Sequence, residues 1–517
     1  MTLIDSSPPG TRPAGYTALR ERYDLRVMPH WHRSFVGGSV RRRKVTDEWV
    51  QEVYLGSRWP GDSLGAQLEF ALKYDGVSLD ILSEIFRVAA REDVAAYVLS
   101  RPLGKYARRA WYLYELLTGD RLPIDDATSG NYVDLLDADD YYTAGPRRIR
   151  RQRINDNLLG GDLFCPMVRR TDTLKSFENA DLAARGREIR AEFPREILKR
   201  ALSYLYTKET RSSFAIENVK PDSTRTGRFV QLLQSASETD FLQKDRLIDL
   251  QNRIVDERYR DHDYRTDQNY VGETVAWQRE RIHYVSPRPA DLPGLMEGLT
   301  TSHERMATHD VDPVVHAGAV AYGFVFLHPF GDGNGRIHRF LIHNVLAMTG
   351  FTPADMIFPV SAAMLSDWDA YDDSLEAFSR PLMPLIAYDL DEDGRMTVTN
   401  QTAAHYRFPD MTPQVEALYG FVQHTIEVDL VQELEFLQGY DRAKRSIREI
   451  ADIPDREIDL LIRFCRQNQG RLSPAKRKSR FSALTDGEVA KMEQAVREAY
   501  GVDRRGGGED EEGRVES

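Results

Sequence analysis

The chain has 517 residues, of which 41% are hydrophobic and 10% aromatic, and Lys+Arg 69 against Asp+Glu 81 leaves a formal net charge of −12. At roughly 150 residues per domain this is length for two to four domains with a sizeable core, and the acidic balance argues against a protein that coats nucleic acid through global charge. Cys165 and Cys465 are the two cysteines, which excludes a disulfide framework or a zinc site built on thiolates. Met1 to Tyr16 has no apolar core of signal-peptide length. The best apolar stretch, Val314 to Leu327, is too short for a membrane span and contains His316. The expectation is a soluble protein of the reducing cytoplasm with no membrane partner.

In chain order, residues 1–15 are rich in Pro, Gly and Ser and are expected to be disordered. A helical N-terminal domain is predicted over 16–150. Leu68, Leu72, Leu79 and Leu82 lie between Gly breaks, and Ala110, Trp111, Leu113, Tyr114 and Leu117 repeat at helical spacing before Gly119. The stretch from Pro123 to Asp156 is loop-rich, with an acidic cluster and the basic run Arg147 to Arg153, and reads as a boundary. Helical periodicity resumes at Phe193 and persists to about Tyr388, giving a central domain over 190–390. Asp389 to His405 is polar and turn-rich and reads as a second linker. Residues 413–500 form a helical C-terminal module, and 503–517 an acidic solvated tail.

The chemistry concentrates in His328-Pro329-Phe330-Gly331-Asp332-Gly333-Asn334-Gly335-Arg336-Ile337-His338-Arg339. Asp312-Pro313 caps an apolar helix that Pro329 ends. Ile337, Phe340, Leu341 and Val345 then repeat until Gly350 stops a second helix. Between the helices, Gly333-Asn334-Gly335 falls where N–H groups at a helix N-terminus converge, a concavity suited to phosphate oxygens. Arg336 and Arg339, three apart, can reach one anion. Asp332 is placed to hold Mg²⁺ against phosphates, and His328 to act as a general base. Each element alone is more often structural; together at these spacings they are not coincidental. No Gly-Lys-Ser/Thr makes this a Walker loop, and a Rossmann fingerprint would require a preceding strand.

The segment resembles the full signature of the Fic (Fido) family, His-Pro-Phe-x-Asp-Gly-Asn-Gly-Arg-x-x-Arg, without departure. The resemblance implies a mainly α fold, a Fic-type helical bundle with a small β-hairpin flap, flanked by helical N- and C-terminal domains. It implies a protein adenylyltransferase moving AMP from the substrate ATP to a Ser, Thr or Tyr hydroxyl of a target protein, with self-modification as a further acceptor. His328 would deprotonate the hydroxyl, Asp332 hold Mg²⁺, Gly333, Asn334 and Gly335 bind the α- and β-phosphates, and Arg336 and Arg339 steady the β- and γ-phosphates. Phe330 would be the buried pin of the loop. Phosphorylating relatives carry Lys at the position of Gly333, and inactive members usually lack the His; neither change is present here.

Fic proteins are often restrained by a helix with Ser/Thr-x-x-x-Glu-Gly/Asn. Ser213-Phe214-Ala215-Ile216-Glu217-Asn218 matches that pattern upstream of the core. The resemblance makes Glu217, with Ser213, an in-chain brake whose carboxylate occupies the γ-phosphate's place at Arg339. Tyr270 to Tyr284 reads as two short strands, Glu273–Trp277 and Ile282–Val285, a flap of the kind that holds a target segment by strand addition. His303, His309, His316, His338 and His343 form no metal-ligand pattern. The basic runs Arg41 to Lys44, Arg147 to Arg153 and Lys476 to Lys478 read as solvated loops, with nucleic-acid binding through the C-terminal module the lesser alternative. Two other functions stay open: AMP removal, with Glu217 orienting a water, and a regulatory adaptor with vestigial catalysis.

Overall fold

The computed structural model describes residues 7–46, 49–237, 241–276, 279–354 and 356–501. The acidic tail expected over 503–517 lies outside them. The chain divides into two compact units: one of residues up to 181 with 209–354 and 360–422, the other of 182–208, 355–359 and 423 onward. Helices dominate both, as the mainly α expectation required.

The first unit opens with a sheet that periodicity did not announce. Strands β1 (Arg12–Ala14), β2 (His32–Val36), β3 (Arg42–Val45) and β4 (Val50–Tyr54) pair in the order β1-β2-β4-β3. The central β2–β4 pair is parallel, with His32 opposite Val50 and Val36 opposite Tyr54. Two expectations are corrected here. Residues 12–14 are an edge strand with Ala14 fully buried, so order begins before residue 16. Arg42 to Lys44 belong to the other edge strand, where exposed cations blunt the free edge. Behind this sheet the buried Asp75 takes a hydrogen bond from the Tyr16 N–H at 3.0 Å and another from the Ser34 hydroxyl. His32 lies between Asp75 and Glu52, 3.2 Å from each. Gly15, at φ +61, has no room for a side chain: a Cβ there would stand 2.0 Å from Asp75 Oδ2.

The helices Leu64–Phe70, Leu79–Val88, Arg91–Ser100 and Lys105–Thr118 enclose one core around Leu68, Leu82, Val98 and Trp111. The stretch from Pro123 to Asp156 is not loop alone; Val133–Asp134, Arg147–Ile149 and Ile154–Asp156 make a three-stranded sheet. Nor is its basic run simply solvated, since Arg151 is largely buried and grips Glu115. The second linker likewise contains a hairpin, Tyr388–Leu390 with Met396–Val398.

The centre of the first unit is built from α1 (Arg195–Ala215), whose residues from Glu209 onward belong to it, α2 (Lys244–Ile254), α3 (Pro313–Leu327), α4 (Asn334–Met348) and α5 (Trp368–Leu382). Asp312 caps α3 by accepting from the Val314 and Val315 N–H groups, both at 3.0 Å. α3 is buried on nearly all sides, consistent with its uninterrupted apolar sequence. The flap strands β5 (Tyr270–Ala276) and β6 (Arg279–Val285) pair antiparallel with two irregularities. Each runs longer than expected, β5 because pairing reaches back to Tyr270 opposite Val285 and β6 because it begins at Arg279 opposite Ala276; Trp277, the expected end of the first strand, lies outside the described residues.

In the second unit, Leu430–Ile450, Asp455–Arg466 and Asp486–Tyr500 pack over Ile447, Ile458, Leu461, Met492 and Val496. Thr485 and Glu488 form a reciprocal capping box at the last helix. Both cysteines are free and buried, and burial pushes each thiol up to about 12. No helix among the described residues is long and apolar enough to cross a membrane.

Candidate functional site

The helix–loop–helix expected around residues 328–339 is present. α3 ends at Leu327, and His328 turns the chain in the left-handed region, at φ 51 and ψ 59. The His328 Nδ1–H donates to the Val325 carbonyl at 3.1 Å, which leaves Nε2 as the basic nitrogen. Burial outweighs that bond and takes the imidazole down to about 4. His328 is therefore neutral at physiological pH, the state a general base requires.

The loop is shaped by its own residues. Phe330 is fully buried. The Asn334 side-chain amide closes a two-way clasp on it, accepting from the Phe330 N–H at 3.1 Å and donating to the Phe330 carbonyl at 2.8 Å. Gly333 caps α4 at φ 90 and ψ 0, backbone that a side chain adopts only under strain. A Cβ at Gly335 would stand 2.5 Å from Glu217 Oε1, so this glycine lets a carboxylate approach the N-terminus of α4. Asp332 Oδ1 accepts from the Gly333 N–H at 2.6 Å and from Arg336 at 2.7 Å.

The two arginines are the most buried charges of the site, each 2% exposed, and both meet Glu217. Arg339 donates to Glu217 Oε1 at 2.8 Å, to the Ser213 carbonyl at 2.6 Å and to the Ser213 hydroxyl at 3.0 Å. Arg336 Nε lies 2.6 Å from Glu217 Oε2, a close ion pair off the hydrogen-bond axis. Reasoning from the pattern linked Glu217 to Arg339 alone; the carboxylate in fact bridges both cations. Ser213, near the end of α1, is itself fully buried.

The sequence reading missed the segment joining α2 to the flap. Asp261 accepts from the Gly331 N–H at 3.0 Å, Gln251 donates to the Asp332 carbonyl at 3.3 Å, and Asn269 donates to the Phe330 carbonyl at 3.2 Å. Arg265 reaches the His328 carbonyl at 2.8 Å. An open cleft of about 300 Å³ lies here, lined by Asp261, Tyr264, Arg265, Asn269 and Gly331 among others. These partners lie on backbone atoms some 60 or more positions away, so no local pattern could have revealed them.

The histidines set aside in sequence have structural surroundings. His303 and His316 are buried against each other at 2.9 Å, and His343 meets the buried Glu209 at 2.7 Å. Among the described residues no group of three or more His, Cys, Asp or Glu side chains could hold a metal ion.

A family model described as "Fic/DOC family" matches residues 241–346, which contain α2, the flap strands, α3 and the loop from His328 to Gly333. The match covers about a fifth of the chain and contains the whole His328 to Arg339 motif. It is similar to the protein adenylyltransferase Fic of Culex quinquefasciatus, 30% identical over 122 residues, covering 23% of this chain and 22% of that protein. Against the protein of the same name from Drosophila willistoni, identity is 33% over 91 residues, 18% of this chain and 16% of the relative. The likeness thus spans about a fifth of the curated relatives it matches. A solved Fic family protein from Desulfovibrio desulfuricans G20 aligns at 18% identity and TM-score 0.37, over 65% of this chain and 86% of that one.

Proposed function

We propose that this chain is a protein adenylyltransferase that transfers AMP from ATP to a hydroxyl side chain of a target protein, and that Glu217 restrains it. The observation that carries the reading is the Glu217 carboxylate bridging Arg336 and Arg339 at 2.6 and 2.8 Å beside a complete loop motif. Two buried guanidinium groups converging on one anion suit the distal phosphates of a nucleotide, and Glu217 fills that place in their absence. The similar proteins from Culex quinquefasciatus and Drosophila willistoni, both named as protein adenylyltransferases, support the same chemistry.

In this mechanism His328 Nε2 takes the proton of the Ser, Thr or Tyr hydroxyl. The hydroxyl oxygen forms a bond to the α-phosphorus, the bond to the bridging oxygen breaks, and pyrophosphate leaves. The N–H groups of Asn334 and Gly335 orient the α- and β-phosphates, joined by that of Gly333 once it leaves Asp332, while Arg336 and Arg339 hold the charge that builds on the leaving group. Asp332 suits Mg²⁺: its side chain is 41% exposed, and this ion binds through one or two carboxylates together with phosphates and water. Mg²⁺, when bound, would neutralise phosphate charge. The flap gives the target segment an edge for strand addition, which fixes register through backbone bonds.

The test uses wild type, Glu217→Gly and Glu217→Gly/His328→Ala with Mg²⁺ and ATP labelled at the α- or γ-phosphate, with cell lysate as acceptor. Label from α-labelled ATP on protein in Glu217→Gly, lost in the double variant, supports the reading. Label from the γ-position would replace nucleotidyl with phosphoryl transfer. No label anywhere would move the assignment to AMP removal, in which Glu217 orients a water, or to an adaptor.

A further inference from the structure

Arg265 makes four polar contacts that the chemistry above does not use. Its main-chain N–H donates to the Pro329 carbonyl at 2.8 Å. Its Nε–H donates to the His328 carbonyl at 2.8 Å, and its two Nη groups reach the Asp267 and Pro287 carbonyls at 2.9 and 2.6 Å. Asp267 precedes β5 and Pro287 follows β6, so one side chain joins both ends of the flap to the turn that carries His328.

That turn needs holding. His328 is not glycine, yet it sits at φ 51 and ψ 59, and the proline after it steers a residue toward extended backbone. Such a conformation persists only where its surroundings over-determine it. Arg265 supplies bonds to two consecutive carbonyls, one from its backbone and one from its side chain. A planar guanidinium can serve His328, Asp267 and Pro287 at once; an ammonium at that position cannot reproduce the fork.

We infer that Arg265 is a positioning residue for the transfer reaction: it locks the backbone turn that aims the base and ties that turn to both ends of the flap, so that base and acceptor keep one register. The inference rests on His328 being the base of the proposed AMP transfer. Arg265 also acts through its charge. After burial, which dominates, and the Val325 bond, which opposes it, the Arg265 cation lowers the affinity of His328 for a proton, while Asp332 raises it. Burial brings Arg265 itself down to about 10, still cationic at neutral pH.

Arg265→Lys and Arg265→Met in the Glu217→Gly background test this, with steady-state transfer measured against ATP concentration and His328 titrated by NMR of ¹³C-labelled histidine. The His328 resonance is assigned by its loss in His328→Ala. Both variants should lose about tenfold to a hundredfold in kcat while KM for ATP moves less than about twofold, because the phosphate contacts are untouched. Arg265→Met should also raise the His328 midpoint, and Arg265→Lys should leave it near the parent value. Unchanged kcat in Arg265→Lys, or kcat and KM for ATP failing together, would overturn the inference. The titration needs no turnover. If Glu217→Gly transfers no AMP, the proposed function falls, and Arg265 is judged by the NMR alone: a His328 midpoint and chemical shift unmoved in folded Arg265→Met overturn its role. Should Arg265→Met fail to fold, the kcat and His328 chemical shift of Arg265→Lys decide.

Discussion

Replacing Glu217 by glycine removes the carboxylate that Arg336 and Arg339 share. Each guanidinium is 2% exposed and Glu217 is 23% exposed, so the pair is largely shielded from water on the arginine side. A hydrogen bond to a charged group contributes roughly 1.5–3 kcal/mol. The Arg339 arm is well formed, the Arg336 arm is off axis, and water reaching Glu217 weakens both. A total of about 3 kcal/mol then opposes the arrival of a terminal phosphate at the same place, which corresponds to about a hundredfold in rate. Transfer of label from α-labelled ATP should therefore accelerate about a hundredfold in Glu217→Gly. The same change leaves the buried Arg339 without its counter-ion and Arg336 with Asp332 alone. The variant should melt several degrees below wild type without nucleotide, and ATP should restore more of its stability than it adds to wild type. Glu217→Gln, which keeps the shape and loses the charge, should behave in the same direction. Equal rates in wild type and Glu217→Gly, with equal thermal shifts on adding ATP, would refute the brake.

The remaining expectations concern the base, the metal and the N-terminal sheet. Because burial takes His328 down to about 4, kcat/KM should stay level from about pH 8 to about pH 5.5 and fall only on approach to pH 4, where an ordinary imidazole would inflect near 6.5. The stability sign follows: the unfolded chain protonates this histidine first, so its contribution is complete above pH 6.5 and is lost as pH falls toward 4, visible in melts across that window. Asp332→Ala should cut transfer by about tenfold or more at millimolar Mg²⁺ and regain part of it when Mg²⁺ is raised; insensitivity to Mg²⁺ would remove Asp332 from the metal role. Asp75→Ala strips the buried partner of Ser34, Tyr16 and His32 and should destabilise the full chain by about 3–5 kcal/mol in urea titration, a measurement that fails the argument if the midpoint stays put.

The loop between α3 and α4 was legible because its signals are local. Asp312-Pro313, Pro329, Gly333 and Gly350 each act within a few residues, and they mark the bounds of α3 and α4. The pairing of Glu217 with Arg339 spans 122 positions and was reachable only through resemblance to a family. The N-terminal sheet was not legible. Its strands are three to five residues long, too short for alternation to stand out, and β3 is exposed throughout, so its cations read as loop. The three-stranded sheet over 133–156 is shorter still. Arg265 had no signature of any kind, because all four of its partners are backbone carbonyls brought together by the fold.

The two cysteines carry a practical consequence. A thiol attacks as its anion, and burial holds both Cys165 and Cys465 at about 12, so in the folded chain neither competes for a maleimide or a spin label at neutral pH. A single cysteine placed on the flap, for instance Val271→Cys at a position 45% exposed, would then be the one reactive sulfur. A fluorophore there would test the strand addition proposed for the flap without any background mutation.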